Sequence, residues 1–356
     1  MGNCRNKIIQ MKNLFDITQV DINCYQKVIG DFLPDKIIDV HTHVYLKKHL
    51  KEDDRADGRT VAWPELVAQE NPIEDLSETY KLFFPGKTVT PVIFAFPVKL
   101  KDLDRANEYI IQCCKANQCF GFILAKPEWT AGEFEKKIMA GNFYGAKVYL
   151  NFSPSHIPSK DICIFDFLPH HQLEILNKLG LIVMLHIPRE KRLRDPLNLA
   201  QIIEIEKKYP NIKLIIAHVG RAYCAEDVGN AFDILSETKN VLFDFSANTN
   251  KWVFEQLIKA VGPSRILFGS DLPITRMRMK RVCENGMYIN IVPKGMYGDI
   301  SSDKNMRETD NHERAPLTFF MYEEIAAFRL AAQATKLTQN DIEDVFYNNA
   351  VRILRK

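Results

Sequence analysis

The 356-residue sequence lacks any hydrophobic run long enough to span a bilayer. It also lacks an excess of one charge, since 47 Lys and Arg side chains oppose 45 Asp and Glu side chains and leave a net charge of +2. These absences give no reason to expect a membrane or a nucleic acid as the partner. We therefore expect a small-molecule substrate, and a homo-oligomer stays open.

Paired cysteine spacings are missing as well. The eight cysteines are scattered, and no Cys-x-x-Cys motif occurs. Such a set is typical of buried or free thiols in a reducing compartment, and it argues against a disulfide framework and a thiolate zinc site. Because no apolar signal-peptide core follows the amino terminus, the sequence predicts a cytosolic protein.

Eight strand-like runs alternate with helical segments, which predicts an α/β fold. Runs such as 181–187 are apolar almost throughout, as parallel strands buried on both faces must be. Eight parallel strands joined by right-handed crossovers predict a closed (β/α)8 TIM barrel. No Gly-x-Gly-x-x-Gly follows any strand, which disfavours the alternative of a doubly wound dinucleotide-binding sheet. The predicted strands cover 37–44, 89–96, 119–125, 146–150, 181–187, 212–217, 241–245 and 265–268.

The alternation predicts one domain with two long insertions. Residues 1–36 form a partly helical lead-in, and residues 37–356 form the barrel domain. The insertions 45–88 and 272–315 leave from the ends of strands one and eight, which are neighbours in a closed barrel. The sequence leaves open whether they form a lid, a dimer arm or loops without order.

The first predicted strand carries two imidazoles. Its sequence, Ile37-Ile38-Asp39-Val40-His41-Thr42-His43-Val44, places Asp39, His41 and His43 on one face because strand side chains alternate. Imidazoles at positions i and i+2 of a rigid strand suit two ligands of one divalent metal. The alternative is an edge strand with solvated polar residues.

Further polar side chains stand where other strands end. These are Lys147 in strand four, His186 at the end of strand five, His218 at the end of strand six and Asp271 after strand eight. Because the carboxyl ends of barrel strands meet at one mouth, these residues converge with the first strand. Packing alone gives little reason for four histidines and an aspartate at one place, so the convergence predicts a metal site.

The same residues resemble the motifs of a known superfamily. The ordered set is similar to that of the amidohydrolase superfamily, in particular to amidohydrolase family 2, which comprises metal-dependent hydrolases and decarboxylases on a TIM barrel. The resemblance covers about residues 35–350. The similar segments are Val40-His41-Thr42-His43, His186, Ala217-His218-Val219-Gly220, Phe268-Gly269-Ser270-Asp271-Leu272-Pro273 and the closing Val345-Phe346-Tyr347-Asn348-Asn349-Ala350.

The resemblance implies one divalent cation, with four ligands: His41, His43, His186 and Asp271. Three neutral imidazoles and a carboxylate suit Zn²⁺, with Mn²⁺ and Fe²⁺ as alternatives, and leave a position for water. The cation would lower the pKa of that water toward ~7. Asp271 would take the proton of the water, and His218 would donate to the substrate oxygen.

Lys147 leaves an alternative open. Within the superfamily, a carbamylated lysine at the end of strand four bridges two metals, and His186 and His218 then serve the second ion. In the single-metal branch the lysine stays a cation that orients substrate. A lysine that pairs with a carboxylate for structural reasons is the third interpretation. We expect one metal.

Three residues beyond strands five and six are placed to face the mouth: Arg189, Arg221 and Tyr223. Guanidinium groups that point inward would favour a carboxylate-bearing substrate. We predict a metal-dependent hydrolase that cleaves a C–N or C–O bond of a small molecule of this kind. The alternatives are a non-oxidative decarboxylase that uses the same mononuclear site and a non-catalytic metal-binding or scaffold protein.

Overall fold

Eight parallel strands in the order β1 to β8 form the centre of the computed structural model, which describes residues 14–51, 63–97, 100–310 and 316–355. The ends of the sheet meet, because the Val40 amide donates to the Phe268 carbonyl and the Asp271 amide donates to the His41 carbonyl. The predicted (β/α)8 barrel is confirmed. Its strands are β1 Lys36–His43, β2 Thr88–Phe94, β3 Phe120–Leu124, β4 Gly145–Val148, β5 Ile182–Leu185, β6 Lys213–Ile216, β7 Leu242–Asp244 and β8 Ile266–Leu267.

Helices surround this sheet. No helix in the described ranges is long and apolar enough to cross a membrane. The helices are α1 Gln19–Cys24, α2 Ile73–Phe83, α3 Leu103–Ala116, α4 Ala131–Gly141, α5 Ile164–Phe167, α6 His170–Leu179, α7 Pro196–Lys208, α8 His218–Arg221 (a single left-handed turn), α9 Ala231–Ser236, α10 Lys251–Val261, α11 Phe320–Ala334, α12 Gln339–Glu343 and α13 Asn349–Leu354.

The apolar strands divide their side chains between two layers. On β5, Ile182 and Met184 belong to the cluster that fills the barrel interior. Val183 and Leu185, which alternate with them, belong to the larger cluster between the strands and the helices. Both faces of β5 are therefore buried, which explains the continuous apolar run at this place in the sequence.

The insertion after β8 is an ordered three-stranded sheet rather than a loop. Strands β9 Lys280–Glu284 and β10 Met287–Pro293 form an antiparallel hairpin, and β11 Met306–Thr309 pairs in parallel with β10. The hairpin turns at Asn285 and Gly286, both with positive φ, as expected of an Asn-Gly turn. Residues 311–315 of this insertion lie outside the described residues.

A disulfide corrects the expectation that all cysteines are free thiols. Cys224, which follows β6, is bonded to Cys283 on β9, with 5.8 Å between the Cα atoms. The two cysteines are 59 residues apart, so no short-range cysteine spacing in the sequence predicts the pair. The bond ties the three-stranded sheet to the barrel rim, and it removes one argument for a reducing compartment.

The lead-in is fixed to the insertion by a buried ion pair. The guanidinium of Arg278 donates to both carboxylate oxygens of Asp21 at 2.6 and 2.9 Å, and both residues are buried. Thr318 donates to the same carboxylate at 2.8 Å. Burial raises the pKa of Asp21, but the hydrogen bonds from Arg278, Thr18 and Thr318 bring it below its ordinary value. Residues 1–13 of the predicted lead-in lie outside the described residues.

We predict that Asp21→Asn destabilises the protein by about 3 to 5 kcal/mol at pH 7, because the guanidinium of Arg278 is left buried without its counter-charge. Urea unfolding measures the effect. Arg307→Met is the control, since it breaks the exposed pair with Glu284 on the same insertion and is expected to change stability little.

The pH dependence provides a second test of the same pair. Because folding lowers the pKa of Asp21, its contribution is present above the unfolded pKa of about 4 and is lost as the pH falls through the lower, folded pKa. The difference between wild type and Asp21→Asn should therefore shrink in acid. A variant as stable as wild type at pH 7 would contradict the assignment.

Candidate metal centre

Three side chains at the carboxyl ends of barrel strands form a compact set of metal donors. His41 lies on β1, His218 lies two residues past the end of β6, and Asp271 follows β8. One ligand atom from each lies within 4.8 Å of the others, and all three residues are buried. His41 Nε2 is 3.4 Å from Asp271 Oδ1. Two imidazoles and a carboxylate fit a divalent metal, so the donor set supports such an ion.

Two further histidines border this set. His43 Nε2 lies 3.3 Å from Asp271 Oδ1, so one carboxylate faces both imidazoles of β1. The ring of His186, just past β5, lies 5.4 Å from the ring of His218, centroid to centroid. His186 Nδ1 is buried without a hydrogen-bond partner in the described chain, and such a nitrogen calls for a ligand.

The predicted ligands thus lie together, but the compact set contains His218 in place of His43 and His186. The resemblance gave His218 the role of proton donor. Its Nδ1 lies 3.1 Å from the Ser246 carbonyl, which only accepts. In the neutral ring the proton therefore sits on Nδ1, and Nε2 keeps the lone pair that a metal ligand needs.

Asp244, at the end of β7, holds two of these histidines. Its Oδ2 lies 3.0 Å from His41 Nδ1, and its Oδ1 accepts from the His218 amide at 2.9 Å and from the hydroxyl of Ser246. Burial raises the pKa of Asp244, but these two histidines and the hydroxyl outweigh burial and hold it well below its usual range. Asp244 is not among the residues predicted from the sequence. It nevertheless shows the same signal as the predicted site residues, a polar side chain at the end of an apolar strand.

Lys147 belongs to the centre. It is fully buried on β4, and its Nζ lies 3.3 Å from His41 Nε2. The ammonium also lies over the rings of Phe94 and Tyr149, at 5.2 and 5.6 Å. No carboxylate comes within ion-pair distance of it in the described ranges, which disfavours the interpretation as a structural ion pair.

Asp39 positions the segment that carries Asp271 rather than facing the mouth. Its carboxylate accepts from the Ser270 amide and from the Tyr80 hydroxyl, each at 2.8 Å. Burial raises the pKa of Asp39 to about 7. The segment that carries Asp271 can lie this close to β1 only because residue 269 is a glycine, since an added Cβ at Gly269 would lie 2.8 Å from the Cβ of His41. The register of β1 shifts after Asp39, which takes this side chain out of the alternation that the sequence predicts.

The backbone at the mouth is strained in two of the donor residues. His218 and Asp271 both have positive φ, 57° and 59°. Residues other than glycine adopt this conformation at a cost of about 1 kcal/mol or more, and they do so where surrounding bonds hold them. The Asp244 carboxylate holds the His218 amide, and the His41 carbonyl holds that of Asp271.

A cavity of about 440 Å³ opens above the donor set. Of the three residues predicted to face it, Arg221 and Tyr223 line its wall. Arg189 does not, because its Nε pairs with Asp195 at 3.1 Å. Asp195 caps the amino terminus of α7 and holds the guanidinium there.

Comparison with known sequences identifies the class of protein. The family model Amidohydro_2, described as Amidohydrolase, matches residues 38–356. The chain therefore belongs to the amidohydrolase family that its motifs resemble, and it is an enzyme of this superfamily. No curated protein matches the chain significantly.

Several solved structures share the fold. A probable 2-pyrone-4,6-dicarboxylic acid hydrolase from Acinetobacter baumannii is 16% identical with a TM-score of 0.52, over 89% of this chain and 98% of that one. The 4-oxalomesaconate hydratase of Rhodopseudomonas palustris is 16% identical with a TM-score of 0.53, over 89% and 95%. A dihydroxybenzoic acid decarboxylase from Polaromonas, with bound manganese, is 17% identical with a TM-score of 0.50, over 90% and 97%. At these identities the likeness shows the fold.

We predict that Asp244→Asn weakens the binding of a divalent metal ion about 10- to 100-fold, because a neutral amide no longer fixes the tautomer and orientation of His41. Competition with a chromogenic chelator measures the affinity. Asp233→Asn, which alters an exposed acid on α9, is the matched control and should bind as wild type does. An unchanged affinity in Asp244→Asn would show that the carboxylate does not support the centre.

Proposed function

We propose that the chain is a mononuclear Zn²⁺-dependent hydrolase that cleaves a C–N or C–O bond of a small, carboxylate-bearing molecule. The observation that carries this proposal is the buried donor set of His41, His218 and Asp271 at the floor of the cavity. Mn²⁺ and Fe²⁺ are the alternative ions. A bound divalent cation supplies Lewis acidity and makes water available as a nucleophile near neutral pH.

Two side chains at the donor set have separate roles in this proposal, Asp271 in proton transfer and Lys147 in substrate orientation. Burial raises the pKa of Asp271, but His218, His43 and His41 bring it down to about 2. Asp271 is therefore ionised at neutral pH and can accept a proton from water. Lys147, as a buried cation, orients the substrate and favours negative charge that develops beside His41.

A non-oxidative decarboxylase is the second candidate. The fold is shared with enzymes whose names include a hydrolase, a hydratase and a decarboxylase, so the architecture alone does not select the bond that breaks. All three names denote carboxylate-bearing substrates, which agrees with the position of Arg221 on the cavity wall. In the decarboxylase the same donor set would bind the carboxylated substrate while a proton is delivered to carbon.

We propose that the chain acts in the cytosol on a small-molecule substrate. In this proposal neither a nucleic acid nor a membrane is a partner, and both a monomer and a homo-oligomer are compatible with the function. The net charge of +2 supports the absence of a polyanionic partner.

We predict that His41→Ala and Asp271→Asn lower the Zn²⁺ content from one ion per chain, and that Asp271→Asn lowers kcat about 10²- to 10⁴-fold. Elemental analysis gives the metal content. A substrate panel of lactones, amides, and aromatic and enoic acids, followed by acid release and by CO₂ release, gives the activity. His156→Ala, in an exposed loop, is the control.

Four outcomes separate the alternatives. Acid release without CO₂ supports the hydrolase, and CO₂ release supports the decarboxylase. Two metal equivalents per chain, with activity that depends on bicarbonate, would indicate a carbamylated Lys147. A His41→Ala protein that keeps its full metal content and activity would contradict both proposed activities.

A further inference from the structure

Two arginines on the cavity wall have no carboxylate partner. Arg221 and Arg281 both line the cavity, and neither comes within 4.0 Å of an Asp or Glu oxygen in the part of the chain that the structure describes. Other arginines nearby behave differently, since Arg189, Arg192 and Arg278 each pair with an aspartate.

Arg221 donates only to neutral acceptors beside the metal centre. Its Nη1 donates to the carbonyls of Ile187 and Pro188, at 3.2 and 3.1 Å. These two residues directly follow His186, so the guanidinium is anchored next to the donor set. A carbonyl satisfies an N–H group but leaves the positive charge without a counter-ion.

Arg281 is enclosed by three aromatic rings. Its guanidinium carbon lies 4.6 Å from the centroid of Tyr223, 4.5 Å from that of Tyr288 and 4.6 Å from that of Phe320. The rings compensate part of the hydration that the guanidinium loses, but they do not neutralise its charge. An anion in the cavity would complete this environment.

The insertion holds Arg281 rigidly in place. Its Nε donates to Asn290, its cross-strand partner on β10, at 2.9 Å, and its Nη1 donates to the Ala247 carbonyl at 2.6 Å. Nη2 makes no hydrogen bond to the described residues. The disulfide at Cys283, two residues farther along β9, fastens the strand to the barrel. A pre-positioned donor of this kind binds without a large loss of side-chain entropy.

Tyr223 lines the same cavity as the two arginines. It is two residues from Arg221 in the chain and contacts Arg281 through its ring. Desolvation raises the pKa of the Tyr223 phenol to about 12, and the guanidinium groups of Arg221, Arg281 and Arg192 oppose this rise. Aromatic side chains at four positions line the cavity, which suits a flat ligand: Phe96, Tyr149, Tyr223 and Tyr288.

We propose that Arg221 and Arg281 form a subsite for a second carboxylate, so that the substrate is a small planar dicarboxylic acid or its lactone or amide. Its reacting group lies at the donor set, and its second carboxylate lies between the two guanidinium groups. Arg281 is then the residue by which the β9–β11 insertion determines specificity. This inference rests on the proposed function and narrows its substrate class.

The test compares benzene-1,3-dicarboxylate with benzoate, each titrated calorimetrically into the Zn²⁺-loaded full chain. We expect the dicarboxylate to bind more tightly than benzoate. Arg281→Met should weaken the dicarboxylate about 10- to 100-fold and leave benzoate unchanged, because one charge-assisted contact is lost. Arg281→Lys should restore part of the affinity, since it keeps the charge and loses the planar fork.

Controls separate this subsite from folding and from the metal centre. Arg307→Met removes a guanidinium from β11 that already pairs with Glu284, so it should bind both probes as wild type does. Zn²⁺ content and thermal midpoint are measured for each variant. With a turned-over substrate, Arg281→Met should raise KM far more than it changes kcat.

A His41→Ala background distinguishes failure of this inference from failure of the proposed function. The preference for the dicarboxylate, and its loss in Arg281→Met, should persist there because the two arginines do not depend on the metal. Equal affinity of wild type for the two probes, or an Arg281→Met variant and an Arg281→Lys variant that both bind as wild type does, would overturn the subsite. Absence of bound Zn²⁺ in wild type would instead overturn the proposed hydrolase.

Discussion

The centre depends on one buried carboxylate. Asp244 accepts from the His41 ring on one side and from the His218 amide on the other. Strand β7 thereby orients a ligand candidate on β1 and the strained turn after β6. A buried carboxylate is costly unless its oxygens are satisfied, and here three residues satisfy them. The same hydrogen bonds that offset the free-energy cost of burying the Asp244 carboxylate also make the donor set rigid.

Closure of the barrel brings the third donor into place. The segment after β8 returns to β1, where the Asp271 amide donates to the His41 carbonyl and the Ser270 amide donates to Asp39. These bonds compensate a left-handed backbone at Asp271. The strain is thus maintained by the bonds that close the sheet, so the stability of the barrel and the geometry of the site have a common origin.

The insertion after β8 gives the cavity its distal wall. The bond between Cys224 and Cys283, together with the buried pair of Asp21 and Arg278, joins the insertion to the rim and to the lead-in. Such a wall presents Arg281 from a strand rather than from a loop. In our proposals, specificity resides in an element outside the barrel and the chemistry resides at the strand ends, a division that lets one scaffold serve several reactions.

The sequence by itself determined the barrel and the group of candidate donors, because apolar periodicity and residues that end strands are local properties of the chain. The expected strands 37–44 and 181–187, for example, correspond to β1 and β5 within one or two residues at each end. Only the tertiary structure decided the pairing of Cys224, the placement of Asp244 against His41 and the inward position of Arg281. Each of these depends on a distance between segments far apart in sequence, which barrel closure and the insertion set and no local pattern records.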